Sequence, residues 1–153
     1  MACFDHLKLY IDASSRGNPG PSSISVAIYN GEEKLIYEFS KCIGHYTNNQ
    51  AEYKALMKGL ALCARYTPKQ ISVYSDCQIV LNQMKGVRRV RNRDLIPLFQ
   101  KVKKRERQFE KIDYTYVKKN SIQRLKYVAW LLKQAHPDKP IKKCIVSPPE
   151  VKR

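Results

Sequence analysis

The spacing of the apolar residues changes partway along this 153-residue chain, and that change restricts its fold more than any other feature. Before residue 44, apolar and polar residues alternate in three stretches, which is the period of half-buried β-strands. These stretches are residues 7–11, 23–29 and 34–43. Asn30 and Gly31 form a strong hairpin signal, and residues 14–21 are rich in turn-forming residue types. Three strands joined by short turns predict an antiparallel meander.

From residue 47 onward, stretches with helical spacing alternate with further strand-like stretches. Thr47 and the two Asn residues after it supply capping groups, apolar residues recur at helical spacing to about Tyr66, and Pro68 ends this helix. Later strands are predicted over 71–75 and 112–117, and later helices over 78–84, 95–109 and 122–135. The resulting order, β-β-β-α-β-α-α-β-α, predicts a single α/β domain. We expect the Pro- and Lys-rich stretch from His136 to be loosely held.

The net charge of +16 is unevenly distributed along the chain. Residues 1–84 carry a net charge of +1, whereas residues 85–111 and 118–153 carry +8 each. Such an excess favours a polyanionic partner, with nucleic acid ahead of an anionic membrane. The alternative is a solvated basic surface that only promotes solubility.

The composition disfavours several other classes of protein. Hydrophobic residues make up 43% of the chain, which is too many for a disordered protein. No apolar run approaches the roughly 18 residues of a membrane span, and no signal-peptide pattern follows Met1. The five Cys residues are odd in number and include no Cys-x-x-Cys pair, which argues against a disulfide framework and a zinc site. We therefore expect a cytoplasmic, reducing setting, no membrane partner and a monomeric chain.

Three carboxylates stand where the predicted elements can bring them together. Asp12 ends the first strand, Glu52 lies in the first turn of the first helix, and Asp76 ends the fourth strand. If the first and fourth strands are parallel neighbours, both Asp residues lie at one edge of the sheet, and the helix can bring Glu52 to the same place. Clustered carboxylates without a paired base suit a hard divalent cation, Mg²⁺ or Mn²⁺.

Each of these acids also has a simpler interpretation. Asp12 can be a turn residue, Glu52 a favourable charge near a helix N-terminus, and Asp76 an ordinary helix N-cap. Spacing alone leaves both interpretations open.

The residues around the acids resemble the motifs of type 1 ribonuclease H. Residues 10–21 (YIDASSRGNPGP) resemble the first motif, 47–52 (TNNQAE) the second and 74–78 (YSDCQ) the third, while 86–98 resembles a link found in the shorter, archaeal-type members. The resemblance implies a ribonuclease H-like α/β fold. Its five-stranded mixed sheet would have three antiparallel strands followed by two parallel ones, with helices on both faces.

We expect the ribonuclease H-like domain to span residues 1–136, with a basic, Pro- and Lys-rich C-terminal tail over residues 137–153. The resemblance also makes Asp12, Glu52 and Asp76 both the catalytic residues and the ligands of two Mg²⁺ or Mn²⁺ ions. The implied reaction is endonucleolytic hydrolysis of the RNA strand of an RNA–DNA hybrid, which leaves 5′-phosphate and 3′-hydroxyl ends.

The resemblance further assigns nucleic-acid contacts. Asn18, Asn48 and Asn49 match positions that contact RNA 2′-hydroxyls or the nearby backbone, and Gln78 is a further candidate contact. Each Asn has an alternative role as a turn or cap residue, and for Asn48 the two roles are equally favoured. The remaining candidates are basic residues expected to grip phosphates of the DNA strand: Lys85, Arg88, Arg89, Arg91 and Arg93. For the basic residues of 101–107, a solvated helix face is at least as well favoured.

The fourth motif of the family is missing. Asn120 falls near the position of a His or Glu, and Ala129 falls at the position of the fourth catalytic Asp. The loss removes one negative charge and one oxygen ligand, so we expect weakened hydrolysis and an activity that suffers more with Mg²⁺ than with Mn²⁺. The rival hypothesis is a non-catalytic pseudonuclease that binds RNA–DNA hybrid or another duplex. Integrase- or resolvase-like function is less favoured because the second motif is typical of the hydrolases.

Overall fold

A computed structural model describes residues 4–67 and 69–149 of the chain. Six strands form one sheet in the order β5-β4-β1-β2-β3-β6. The strands are β1 (His6–Ser15), β2 (Gly20–Tyr29), β3 (Leu35–Tyr46), β4 (Gln70–Ser75), β5 (Lys111–Tyr116) and β6 (Ile141–Cys144). The helices are α1 (Asn48–Cys63), α2 (Gln78–Met84), α3 (Ile96–Glu106) and α4 (Gln123–Leu132). No helix in the described part of the chain is long and apolar enough to cross a membrane.

The first three strands form the predicted antiparallel meander. β2 lies between β1 and β3 and pairs antiparallel with both. Asn30 closes the β2–β3 hairpin, because its side-chain oxygen accepts hydrogen bonds from the backbone N–H groups of Glu32 and Lys34 at 2.9 and 3.0 Å. β4 pairs parallel with β1, and β5 pairs parallel with β4. The first strand is therefore central, as the resemblance implied.

The alternation of side chains along β1 divides the core between the two faces of the sheet. Leu7, Leu9 and Ile11 are fully buried in the larger core cluster, which includes the apolar residues of α1. Tyr10 belongs to a second cluster with residues of α4, so that α1 and α4 cover opposite faces. Gly59 allows α1 to approach β1 closely, since a Cβ at this position would lie 2.7 Å from Cδ1 of Leu9.

A capping box sets the start of α1, as the Thr-Asn-Asn sequence predicted. The backbone N–H of Gln50 donates to the Oγ1 of Thr47 at 3.2 Å, and the N–H of Thr47 donates to the Oε1 of Gln50 at 2.9 Å. This start places Glu52 in the second turn of α1 rather than in the predicted first turn.

The prediction of a five-stranded sheet is wrong by one strand, because residues beyond His136 add a sixth. β6 pairs antiparallel with the outer side of β3. The hydroxyl of Tyr66 donates to the backbone oxygen of Val146 at 2.6 Å, and the N–H of Ile145 donates to the oxygen of Ile36 at 2.9 Å. The expected loosely held tail is therefore corrected for this stretch. A strand of four residues with two lysines carries too little periodicity to be predicted, since only its pairing with β3 makes it a strand.

Candidate active site

The three predicted carboxylates meet at one place in the folded chain. Asp12 lies within β1, Asp76 directly follows β4, and Glu52 lies within α1. Each residue offers one carboxylate oxygen, and these three oxygens all lie within 4.8 Å of one another. Because β1 and β4 are parallel neighbours, their carboxyl ends share one edge of the sheet, which is where ligands bind in open α/β sheets.

Asp12 is buried, with 9% of its surface exposed. Burial, and secondarily the charge of Asp76, raise its pKa to about 6. The backbone N–H of Ala13 donates to its Oδ1 at 2.9 Å and opposes this rise, as do the charges of Lys119 and Lys133. The carboxylate is thus held in place by its own strand and is influenced by the charges of two lysines.

Glu52 is the most deeply buried of the three acids. Burial raises its pKa well above the usual range, and the charges of Asp12 and Asp76 raise it further. The hydroxyl of Ser75 donates to its Oε2 at 3.3 Å and fixes the direction of the carboxylate. Burial also raises the pKa of Asp76, while Lys119 lowers it. Three mutually repelling carboxylates, two of them buried and Asp76 half-buried, are a strong donor set for a divalent cation.

The simpler interpretations of the three acids do not match their positions. Asp12 lies inside a strand rather than in a turn. Glu52 is outside the first turn of α1, where a charge would interact best with the helix dipole. The N-cap of α2 is Cys77, and no side chain caps that helix, so Asp76 does not act as an N-cap.

Asn18 and Asn48 join the β1–β2 turn to the start of α1, and Asn49 joins α1 to Cys77 at the start of α2. The N–H of Asn48 donates to the Oδ1 of Asn18, and the N–H of Ser15 donates to the Oδ1 of Asn48, both at 2.9 Å. The thiol of Cys77 donates to the Oδ1 of Asn49 at 3.8 Å. The side-chain oxygens of the three residues therefore have structural roles, and their amide nitrogens are the groups left to contact a ligand.

A close backbone approach shapes the β1–β2 turn. A Cβ on Gly20 would lie 1.6 Å from the backbone oxygen of Arg16, so only glycine fits there. Gly17 has a φ of +108°, which also favours glycine.

The predicted basic contacts are all exposed, and the structure brings some of them together. Arg88, Arg89 and Arg91 line a groove of about 590 Å³ whose wall includes Asn49, next to the carboxylate edge. Lys85 and Arg93 flank these arginines along the chain but do not line the groove. Gln78 is exposed at the first position of α2, two residues after Asp76.

Two lysines near the carboxylates were missed by the sequence analysis. The signals for both were available. Lys119 follows β5, a parallel neighbour of β4 whose carboxyl end lies at the same edge of the sheet, and Lys133 stands one helical turn after Ala129.

Ala129 lies about as far along the sheet as Asp12, at the position where the family has its fourth Asp. Ser25 pairs with Asp12 in the sheet, and its hydroxyl donates to the backbone oxygen of Val128 at 2.7 Å. Within the described residues, the carboxylate cluster has three members and no fourth.

The sequence of this chain is similar to a family model and to several known proteins. A family model described as reverse transcriptase-like matches residues 10–130. Ribonuclease HI of Halobacterium salinarum is 36% identical over 100 residues, which are 59% of this chain and 50% of that protein. A bifunctional protein of Mycobacterium tuberculosis is 34% identical over 107 residues, which are 69% of this chain and 29% of that protein. The chain thus spans half or less of the length of these two relatives.

Solved structures share the fold over most of the chain. The crystal structure of ribonuclease H1 from Halobacterium salinarum has a TM-score of 0.75 and 29% identity, and the match covers 80% of this chain and 93% of that one. The N-terminal ribonuclease H domain of the mycobacterial protein has a TM-score of 0.75 and 31% identity, with 85% and 98% covered. A ribonuclease H1 designated LC11, solved in complex with an RNA/DNA hybrid, has a TM-score of 0.72 and 27% identity, with 80% and 92% covered.

Proposed function

The chain belongs to the reverse transcriptase-like family and is a type 1 ribonuclease H-like domain, and from this premise we propose that it is a divalent-metal-dependent endonuclease acting on RNA–DNA hybrids. The observation that carries the proposal is the cluster of Asp12, Glu52 and Asp76, whose carboxylate oxygens converge within 4.8 Å. The cleaved strand is the RNA, and the products carry 5′-phosphate and 3′-hydroxyl ends.

The donor set fits Mg²⁺ or Mn²⁺. All three side chains offer hard oxygen atoms, two of the three are buried, and none of the ion pairs seen in the described residues joins them to a basic side chain. When bound, such an ion acts as a Lewis acid on the phosphodiester and lowers the pKa of its bound water. Asp12, Glu52 and Asp76 would hold it.

The chain's own residues hold and orient the site. Ser75 and the N–H of Ala13 direct the carboxylates of Glu52 and Asp12 toward their meeting point. We assign the amide nitrogens of Asn18, Asn48 and Asn49 to the 2′-hydroxyls or backbone of the RNA strand. In the reaction a water oxygen bonds to phosphorus, the bond from phosphorus to the 3′ oxygen breaks, and that oxygen is protonated.

The groove of Arg88, Arg89 and Arg91 supports binding of the other strand. Guanidinium groups pair with phosphate oxygens in a bidentate manner, and the groove adjoins the carboxylate edge. We propose that it holds phosphates of the DNA strand, with Lys85, Arg93 and Gln78 adding contacts around it.

A cleavage assay tests the proposal. Labelled RNA–DNA hybrid, double-stranded RNA and double-stranded DNA are incubated with the chain in Mg²⁺ or Mn²⁺, and Asp12→Asn serves as the matched control. We expect cleavage of the RNA in the hybrid alone, faster in Mn²⁺. Hybrid cleavage no greater than that of the control in either metal would remove the enzymatic proposal.

A specific observation favours a second candidate, a pseudonuclease that binds a hybrid or another duplex without cleaving it. The carboxylate cluster has three members within the described residues, Ala129 and Asn120 stand at the fourth-motif positions, and Lys119 and Lys133 lie near Asp12. This candidate predicts tight, salt-sensitive binding of the hybrid with no turnover in either metal.

A further inference from the structure

A second group of basic side chains lies on the outer side of α1. Lys41, Lys54, Lys58 and Arg105 line a groove of about 520 Å³. Lys41, Arg65 and Lys142 are close enough for their charges to lower the pKa of Lys58. These cations together form what we call the α1 basic face: Lys41, Lys54, Lys58, Arg65, Arg105 and Lys142.

The α1 basic face is separate from the candidate active site. With 3.6 residues per turn, Lys54 lies roughly 160° and Lys58 roughly 120° around the helix from Glu52. Glu52 is buried toward the sheet, so the two lysines lie on the opposite side of α1. The groove on this face shares no lining residue with the groove of Arg88, Arg89 and Arg91.

Sheet register and aromatic rings hold these cations in place. Lys142 of β6 pairs with Phe39 of β3, and Lys41 follows Phe39 by two residues, so both lysines stand on the face of the sheet that carries Phe39. The Nζ of Lys58 lies 4.6 Å from the ring centroid of Phe39, and the Nζ of Lys54 lies 4.5 Å from that of Tyr46.

The cations of this face form no ion pairs with acids in the described part of the chain: none of the ion pairs seen among residues 4–67 and 69–149 involves a member of the α1 basic face. Burial lowers the pKa of Lys58, and the charges of Lys142, Lys41 and Arg65 lower it further. A face of mutually repelling cations is stabilised when a polyanion covers it.

The charge also continues beyond the groove. Lys101 and Lys104 of α3 line an adjoining groove of about 380 Å³ together with Arg105 and Met57. A run of cations from β6 across α1 to α3 suits an extended polyanion better than a single small anion.

We propose that the α1 basic face binds the phosphate backbone of a nucleic-acid strand at a place separate from the carboxylate site. The choice of nucleic acid over an acidic peptide rests on the proposed function, because a strand that passes the carboxylate edge is already a partner of this chain. The groove floor of Ile24, Phe39 and Met57 offers apolar contact to sugars and bases between the cations.

The test measures binding of a labelled 40-nucleotide single-stranded DNA by fluorescence anisotropy over a range of salt concentrations. The variant K54Q/K58Q/K142Q removes three charges from the face. The matched control, K111Q/K126Q/K143Q, removes three exposed charges elsewhere, and Lys143 is the strand neighbour of Lys142 with its side chain on the opposite face of the sheet.

We expect the α1-face variant to bind about tenfold more weakly and its salt slope to be shallower by about 2, since each lost phosphate contact contributes about 0.7 for a single strand. The control should match the parent within about twofold. Single-stranded DNA is not a substrate of the proposed reaction, so a failure to cleave hybrids would leave this readout intact.

Binding of labelled polyglutamate to the same variants is measured alongside as the acidic-peptide comparison. Three outcomes would overturn the proposal: unchanged DNA affinity and salt slope in the α1-face variant, equal losses in the control, or loss of polyglutamate binding with DNA binding unchanged. Melting curves check that each variant is folded. If the triple variant is not folded, K41Q/K142Q changes two exposed strand residues and should make the salt slope shallower by about 1.4.

Discussion

At the scale of single residues, Asp12, Glu52 and Asp76 share one electrostatic problem. Burial raises the pKa of all three, and the charges of neighbouring acids raise those of Asp12 and Glu52 further, so ionising the site costs the folded chain stability. The N–H of Ala13 and the hydroxyl of Ser75 offset part of this cost. A divalent cation would offset much of the rest, which couples metal binding to folding stability.

The first prediction is that Asp12→Asn stabilises the metal-free chain. The pKa of Asp12 is raised from 3.8 to about 6 in the folded chain, so ionising this carboxyl destabilises the fold. The destabilisation is absent at a pH below 3.8, grows as the pH rises, and is complete at a pH above 6. At pH 7.5 we expect a gain on the order of 1–3 kcal/mol in the free energy of unfolding, and almost none at pH 3.5. Denaturant titrations at the two pH values measure it.

The control for this prediction is Asp94→Asn, which makes the same change at an exposed residue and should leave stability unaltered. Mn²⁺ should raise the melting temperature of the parent and much less that of Asp12→Asn. A destabilised Asp12→Asn at pH 7.5 would contradict the electrostatic account.

The second prediction concerns the residue at the missing fourth position. Ala129→Asp places a carboxylate near the level of Asp12, and Lys133 one turn later can balance its charge. We expect Mg²⁺-dependent cleavage of the hybrid to increase about tenfold or more, because Mg²⁺ depends most on a complete set of oxygen ligands. Ala129→Asn, which has the same shape without the charge, should give a much smaller increase, and equal rates in the two variants would refute the role of charge.

At the scale of secondary structure elements, α1 contributes to both candidate surfaces. Its buried side carries Glu52 to the carboxylate site, and its outer side carries Lys54 and Lys58. The capping box at Thr47 sets where the helix begins and therefore which residues face each way. β6 has a comparable role at the sheet edge, because it pairs with β3 and places Lys142 beside α1.

The third prediction tests this cap. Thr47→Ala removes the acceptor for the N–H of Gln50 and should cost about 1 kcal/mol of folding stability. In a domain of this size that corresponds to a fall of roughly 2–4 °C in the melting temperature. Thr47→Ser keeps the hydroxyl and should stay within about 1 °C of the parent; a loss equal to that of the Ala variant would show that the hydrogen bond is not the cause.

At the scale of the whole molecule, positive charge is arranged on more than one surface. One is the groove of Arg88, Arg89 and Arg91 beside the carboxylates, and another is the α1 basic face. Because the two lie on different sides of α1, they should respond independently to mutation.

The fourth prediction uses this independence. In the Asp12→Asn background, R88Q/R89Q/R91Q should weaken binding of a 12-base-pair RNA–DNA hybrid and lower its salt slope by up to about 2–3, since each duplex phosphate contact contributes about 0.9. The α1-face variant should change binding of this short hybrid much less. Comparable losses in both variants, measured by anisotropy, would show that the two surfaces act as one.

Several features could be predicted from the sequence because they depend on residues that are close together in the chain. The meander follows from alternation and from turn residues such as Asn30, the start of α1 from Thr47, and the identities of the three acids from the motifs around them. The β6 strand could not be assigned in this way, because only its pairing with β3 makes it a strand. The positions of Lys119 after β5 and of Lys133 after Ala129 were available as signals, but the effect of their charges on Asp12 depends on distances that only the folded chain sets.

The sequence by itself determined the order of the elements, the ribonuclease H-like family and the three carboxylates, because periodicity, capping and motif spacing are local properties of a chain. Only the tertiary structure decided that the three carboxylates converge with two of them buried, that a sixth strand pairs with β3, and that the charges of two lysines act on Asp12. The tertiary structure also places cations from both halves of the chain on one surface. Lys41, Lys54 and Lys58 come from the nearly neutral first half, and Arg105 and Lys142 come from the basic half. Burial and the electric field at a site depend on distances in space, which residues far apart in the chain acquire only when the sheet assembles.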